Sequence, residues 1–244
     1  MVRGFGPNNY SSSVVNVWLG DLMITTCHVS ELAIDGFALF RGLEKGAPSL
    51  EVARQLGTVD IVEGLTAVQT LIPRGIDDSP PNTYSGNFGR ADFPLHTDLA
   101  HWARPPRYIL LRCIRGADNV STRILDGRHL VKTFGSDRLC ATLVQPRRPM
   151  RNGKQLLRLL RSDDTSCDLL RWDSIYLNPA SRLSAQVFGG VIEFLRDARP
   201  LEVSLVGPGD TLLIDNWRCL HGRSAACERD GGRHIERVYL KEVR

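Results

Sequence analysis

The stretch Phe93-Pro94-Leu95-His96-Thr97-Asp98 follows a loop rich in Gly and Asn and sets an imidazole and a carboxylate two positions apart. On an extended strand, residues i and i+2 share a face, so His96 and Asp98 can reach one metal ion while Thr97 points away. Far downstream, Asp215-Asn216-Trp217-Arg218-Cys219-Leu220-His221-Gly222-Arg223 offers a third ligand in His221. Two neutral imidazoles and one carboxylate on one face of an ion leave the opposite face open. That suits iron(II) that must also bind a cosubstrate and O2. A His-x-Asp triplet alone is weak evidence; its strength here comes from what surrounds it.

Outward from that stretch the chain reads as short strands and turns. Asp35 to Gly42 alternates apolar with small or polar residues between glycines, and Tyr108 to Ile114, Ser121 to Leu125 and Asp168 to Tyr176 are strand candidates. Glu202 to Val206, the tight turn Gly207-Pro208-Gly209-Asp210, the buried run Thr211 to Ile214 that delivers His221, and Arg233 to Glu242 close the chain. Helical patterns cover residues 19–34, Ser49 to Leu56 with Ser49 as candidate N-cap, and Leu183 to Ala198, ended by Arg199-Pro200. Asn152-Gly153 signals a hairpin in a region made basic by Arg147, Arg148, Arg151, Lys154, Arg158 and Arg161. That basic region reads as a solvated face, or as a dock for a phosphorylated or carrier-bound substrate. Residues 1–18 read as a loosely held arm. Residues 73–92, rich in Pro, Gly, Asn, Asp and Ser, read as an active-site loop. Many strands and few helices predict a mainly β fold, a jelly-roll barrel with flanking α-helices, built as one domain over 1–244.

Composition narrows the partners. A net charge of +4 over 244 residues, without a concentrated basic stripe or a recognisable module, gives no reason to expect nucleic-acid binding. No apolar run approaches the ~20 residues of a membrane span, and Met1 to Asn9 lacks a signal-peptide layout, so a cytoplasmic location is expected. The six cysteines (27, 113, 140, 167, 219 and 227) form no Cys-x-x-Cys pair and read as free thiols. Cys219-x-His221 with Cys227 lacks a fourth ligand for a zinc site. Oligomeric state is not readable from sequence.

Two cations complete the chemistry. Arg233 and Arg237 lie four apart in a strand-like stretch and so share a face. A keto-acid cosubstrate needs a permanent cation for its far carboxylate, and the arginine fork provides one. Thr122, a hydroxyl on an otherwise apolar strand, can complete that carboxylate's hydrogen bonds.

With these residues in view, the chain resembles the iron(II)/2-oxoglutarate-dependent oxygenases of the clavaminate synthase and taurine dioxygenase superfamily. The resemblance rests on Leu95-His96-Thr97-Asp98, Pro105-Pro106-Arg107-Tyr108, Thr122, Gly207-Pro208-Gly209-Asp210, Asp215-Asn216, His221-Gly222-Arg223 and the closing Arg233/Arg237 pair. Asp35 to Gly42 is similar to the strand that opens this family's core, and the likeness runs from about residue 35 to the end. It implies a double-stranded β-helix with His96, Asp98 and His221 as iron ligands. Thr122 and Arg233 match the groups that bind 2-oxoglutarate, and Arg237 matches an arginine that often grips the substrate's acid group. Spacing to the distal histidine varies in the family, which leaves an exchange of roles between Arg233 and Arg237 open. Arg223, His101 and Trp102 are further substrate-facing candidates.

The resemblance implies Fe(II), 2-oxoglutarate and O2 as cofactors and hydroxylation of an unactivated C–H bond. The implied substrate is a small acidic molecule, an amino acid or derivative of specialised metabolism. Desaturation, cyclisation or epimerisation, or a sulfonate, nucleotide-like or carrier-bound substrate, are the alternatives within that class. Outside it stand a non-catalytic jelly-roll binding protein and a zinc hydrolase. The carboxylate ligand is Asp, as in taurine dioxygenase, where the clavaminate synthase subgroup usually has Glu. A carboxylate here argues against a halogenase, in which Gly or Ala leaves room for halide.

Overall fold

The computed structural model describes residues 30–148, 153, 155–162 and 168–244. Two antiparallel sheets face one another. The larger, six-stranded sheet runs β1 (Phe37–Phe40), β13 (Thr211–Asp215), β5 (Tyr108–Arg115), β15 (His234–Val243) and β2 (Gly57–Val59), with β3 (Gln69–Leu71) also on β15. The smaller runs β12 (Leu201–Ser204), β6 (Ser121–Asp126), β14 (Cys219–Arg223) and β4 (Phe93–His96). The result is the expected mainly β jelly roll. Around it lie α1 (residues 30–35), α2 (Ser49–Leu56), α3 (Tyr84–Phe88), α4 (Arg128–Phe134), α5 (Ser136–Ala141) and α6 (Arg182–Asp197). Short strands β7 (Leu143–Pro146), β8 (Leu157–Arg158), β9 (Leu160–Arg161), β10 (Leu169–Leu170) and β11 (Leu177–Pro179) fill in between.

The near-continuous apolar runs of β5 and β13 follow from burial on both faces. Ile109, Leu111, Leu212 and Ile214 point between the sheets, where they meet Ile124 of β6, Val203 of β12 and Ile235 of β15. Tyr108, Leu110 and Leu213 point the other way, against Phe40 of β1 and Ala53 of α2. A third cluster packs Leu125 and Leu220 from the back of the smaller sheet on Trp172 and on Val187, Phe188 and Val191 of α6. Its first turn is capped by Ser181, whose hydroxyl accepts from the Ser184 amide at 3.1 Å.

Three local expectations are corrected. Ser49 does not cap α2: Pro48 takes the N-cap position, and the buried Ser49 hydroxyl donates instead to Glu236 Oε2 at 2.5 Å, tying the helix to β15. Residues 168–176 do not make one strand. Only Leu169–Leu170 pairs, and beyond it Asp173 Oδ1 accepts the amides of Ile175 and Tyr176, which turns the chain. Residues 73–92 are not wholly irregular, since α3 lies within them with Thr83 as its N-cap.

The arm at 1–18, most of the 19–34 helix and Asn152 lie outside the described residues. Gly153 has φ +85°, and β7 and β8, which precede and follow it in the chain, pair antiparallel. Of the basic residues there, Arg147 and Arg158 donate to the carbonyls of Ser174 and Cys140. Among the described residues no helix is long and apolar enough to cross a membrane.

Candidate metal centre

His96 ends β4 and His221 sits in the middle of β14, and the two are direct cross-strand partners with ring centroids 4.7 Å apart. Gly222, next along β14, makes that pairing possible, because a Cβ there would stand 2.6 Å from the Phe93 carbonyl oxygen. Asp98 lies beyond the strand, in the turn that follows it, and Leu99 takes a left-handed φ of 53°. The extended geometry expected through Asp98 therefore stops at His96. The carboxylate still arrives at the imidazoles because Asn216, fully buried, holds its peptide: the Asp98 amide donates to Asn216 Oδ1 at 2.7 Å and Asn216 Nδ2 donates to the Asp98 carbonyl at 3.1 Å.

Among the described residues, His96, Asp98 and His221 form the one cluster whose donor atoms could share an ion, all within 4.8 Å of one another. All three are buried, 6–7% exposed. Asp98 Oδ1 stands 3.4 Å from Nε2 of both His96 and His221. That is long for a hydrogen bond and is the spacing of ligands around an ion with bonds of about 2.1 Å. His96 Nδ1 lies 2.8 Å from the Pro94 carbonyl, which can only accept, so the proton sits on Nδ1 and Nε2 keeps its lone pair. The other oxygen of Asp98, Oδ2, accepts from Arg237 at 2.7 Å and from the Tyr239 hydroxyl at 2.9 Å.

Burial works to raise the Asp98 carboxyl, but Arg237 and the two imidazoles outweigh it and hold the group well below the usual carboxylate range. Burial lowers His221, with a net downward shift, whereas for His96 the neighbouring Asp98 overcomes burial and the shift is upward. The carboxylate is thus a fixed anion facing two imidazoles, a donor set that fits a divalent metal such as iron(II).

The second half of the site lies just ahead of β15: the strand expected from Arg233 begins at His234, and Arg233 ends the short 3-10 turn Glu228–Gly232 that precedes it. Arg233 is only 6% exposed, and among the described residues nothing hydrogen-bonds its guanidinium. Burial pushes this group down, with Cys113 and Asp230 opposing. A buried cation without a partner is costly unless an anion joins it, so Arg233 fits a carboxylate of a ligand. Thr122, buried on β6, pairs in register with Arg223 of β14, and Arg223 in turn feels the charge of Arg233.

The remaining expected residues are placed as follows. Arg237 makes its contact to Asp98 and also donates through Nε and Nη2 to Gln69 Oε1, at 3.1 and 2.5 Å. Arg223 is pushed down to about 10 by burial and by Arg233, lies over the Phe93 ring at 3.8 Å, and donates to the carbonyls of Gly89 and Ala91. It holds the 73–92 segment. His101 packs on Tyr176 with centroids 5.8 Å apart, and its buried Nδ1 has no hydrogen-bond partner among the described residues. Trp102 packs on the cluster between the sheets.

Several contributors carry no signal in the sequence. Tyr84 of α3 stacks on His96 at 4.0 Å between centroids and donates to Asp173 Oδ2 at 2.9 Å, which brings the 73–92 segment to the metal-ligand cluster. Arg171, buried and pushed down to about 10 by burial, clips the turn after Asp98 through the carbonyls of Ala100, Trp102 and Ala103. Tyr239 and Gln69 complete the set. Asp210, by contrast, is structural: it accepts the amides of Gly42, Val206 and Gly207 and a bond from Arg41.

No protein-family model matches the chain, and no curated protein sequence does. Solved structures do. An asparagine oxygenase in complex with Fe(II), 2S,3S-3-hydroxyasparagine and succinate superimposes with a TM-score of 0.71 at 19% identity, over 89% of this chain and 79% of that one. The non-heme iron oxygenase OrfP in complex with Fe and alpha-ketoglutaric acid gives 0.70 at 17% identity, over 91% and 81%. PvcB from Pseudomonas aeruginosa gives 0.62 at 16%, over 88% and 79%. The chain has the fold of these iron and alpha-ketoglutarate oxygenases.

Proposed function

We propose that this chain is an Fe(II)- and 2-oxoglutarate-dependent oxygenase that hydroxylates a C–H bond of a small acidic substrate, an amino acid or a derivative, in the cytoplasm. One observation carries the reading. A buried His-Asp-His cluster whose donor atoms all lie within 4.8 Å of one another shares the barrel with a buried guanidinium that has no hydrogen-bond partner among the described residues. The similarity in fold to oxygenases of asparagine and to OrfP supports it.

In this reading His96, Asp98 and His221 hold iron through Nε2, Oδ1 and Nε2, and Arg233 with Thr122 holds the far carboxylate of 2-oxoglutarate. Bound there, the metal and cosubstrate supply the oxidation of the substrate by O2, with succinate and CO2 as coproducts. The protein supplies placement. Arg237, fixed by Gln69, keeps N–H groups for a substrate acid beside Asp98. His101 and Trp102 line the substrate's side, and Arg223 holds the 73–92 segment in place over the site. Tyr84, stacked on His96, excludes water from that ligand's face. A zinc hydrolase would have no use for Arg233 without an anion.

Anaerobic absorption spectroscopy tests the assignment. A weak visible charge-transfer band is expected only when the apoprotein has received both Fe(II) and 2-oxoglutarate, and its absence would overturn the reading. His96→Ala should abolish 2-oxoglutarate turnover. Arg233→Gln should weaken 2-oxoglutarate binding roughly 10–100-fold, the worth of a charged hydrogen-bonded pair.

A further inference from the structure

Asp98 has two oxygens, and a metal could take either or both. Carboxylates bind divalent ions through one oxygen or two. Two-oxygen binding by Asp98 would occupy a position that a chelating cosubstrate and O2 need. What decides between them is the surroundings of Oδ2, and here they are built on β15. Ile235, Arg237 and Tyr239 alternate along that strand and share its inner face. Tyr239 is 2% exposed, packs in the cluster between the sheets, and lies 5.0 Å from the Arg237 guanidinium, ring centroid to Cζ. Its hydroxyl makes one bond among the described residues, the donation to Asp98 Oδ2.

We propose that Tyr239 is a positioning residue for the metal-binding carboxylate: with Arg237 it saturates Oδ2, so that a metal meets Asp98 through Oδ1 alone. This rests on the metal-binding reading above. The two donors are not equivalent. Arg237 is shared with Gln69 and, in that reading, with the substrate's acid group, whereas Tyr239 has no second acceptor among the described residues. When Arg237 turns part of its fork to an incoming acid, Tyr239 keeps Asp98 in place. The peptide of Asp98 is already pinned by Asn216, so the hydroxyl has only the carboxylate's rotation left to fix.

The test is Co(II) binding to the metal-free full-length chain, followed by absorption titration and by the thermal midpoint of the metal-free protein. Tyr239→Phe keeps the ring in the core and removes only the donor. It is expected to weaken Co(II) binding 10–100-fold, the usual consequence of losing a group that orients a metal ligand. It should also alter the Co(II) ligand-field bands as Oδ2 becomes free to coordinate, with the metal-free midpoint close to wild type. Incorporation of 3-fluorotyrosine at position 239, which keeps the hydroxyl, should retain wild-type affinity and bands. Unchanged affinity and bands in Tyr239→Phe would overturn the proposal. A lowered midpoint with unchanged Co(II) affinity would overturn it too, by reducing Tyr239 to a packing role. Failure of the wild-type chain to bind Co(II) would remove the underlying metal reading itself, a result distinct from the other two.

Discussion

Asn216 makes three hydrogen bonds from a fully buried side chain: it accepts the Asp98 amide and donates to the carbonyls of Asp98 and Pro106. Asn216→Ala leaves those backbone groups unpaired, at about 1–3 kcal/mol for each that water cannot reach. Urea unfolding of the metal-free protein should show that loss, and metal affinity should fall with it; unfolding at the wild-type midpoint would mean that Asn216 pins nothing. The candidate metal ligands were legible in the sequence because their chemistry lies in residue type and order. Arg233 was legible for the same reason, as a cation after the distal histidine, although it precedes the strand expected to carry it. The residues that hold them were not. Tyr239 meets Asp98 from 141 positions away and Gln69 meets Arg237 from 168, and no local pattern announces such contacts. Asn216 was visible only as part of a motif, with no indication that its amide would fix the peptide of Asp98.

At the scale of elements, the pairing of β4 with β14 sets the ligand geometry, and Gly222 sets that pairing. A methyl group at 222 would meet the Phe93 carbonyl at 2.6 Å and the Pro94 carbonyl at 3.2 Å, both backbone atoms that cannot step aside without moving β4. Gly222→Ala is expected to cost about 1–3 kcal/mol, as other overpacked sites do, and to weaken metal binding by parting His96 from His221. Gly231→Ala is the control, since a Cβ at 231 meets nothing within 4 Å. Thermal melts and metal titrations of the two variants should therefore diverge; equal behaviour would show that the β4–β14 contact is not limiting. Strands with long apolar or alternating runs were readable in advance. α4 and α5 were not, because Gly135 cuts that stretch into helices of seven and six residues, too short for a period to emerge. The strand expected over 168–176 failed for a different reason: its composition suits a strand, but the Asp173 side chain captures two amides and bends the backbone.

The described residues stack three apolar clusters, one between the sheets and one behind each. Helices close the outer faces of both sheets, which makes most strands two-sided and well protected. β4 is the exception. It lies at the end of the β12-β6-β14-β4 sheet, four residues long, and within that sheet only β14 pairs with it. Its last residue is His96. A metal shared by His96 and His221 would therefore act as a rivet across the final strand pair as well as a reaction centre. By mass action, a metal at one hundred times its dissociation constant adds about 2.7 kcal/mol to the folded state. Mn(II), which does not undergo the oxidation of Fe(II), should suppress limited proteolysis within residues 80–96. Equal cleavage with and without Mn(II) would refute the rivet. The wider consequence concerns supply and turnover. A chain made in an iron-starved cell would present a loose sheet edge to proteases, so its lifetime as well as its activity would follow the iron available to it.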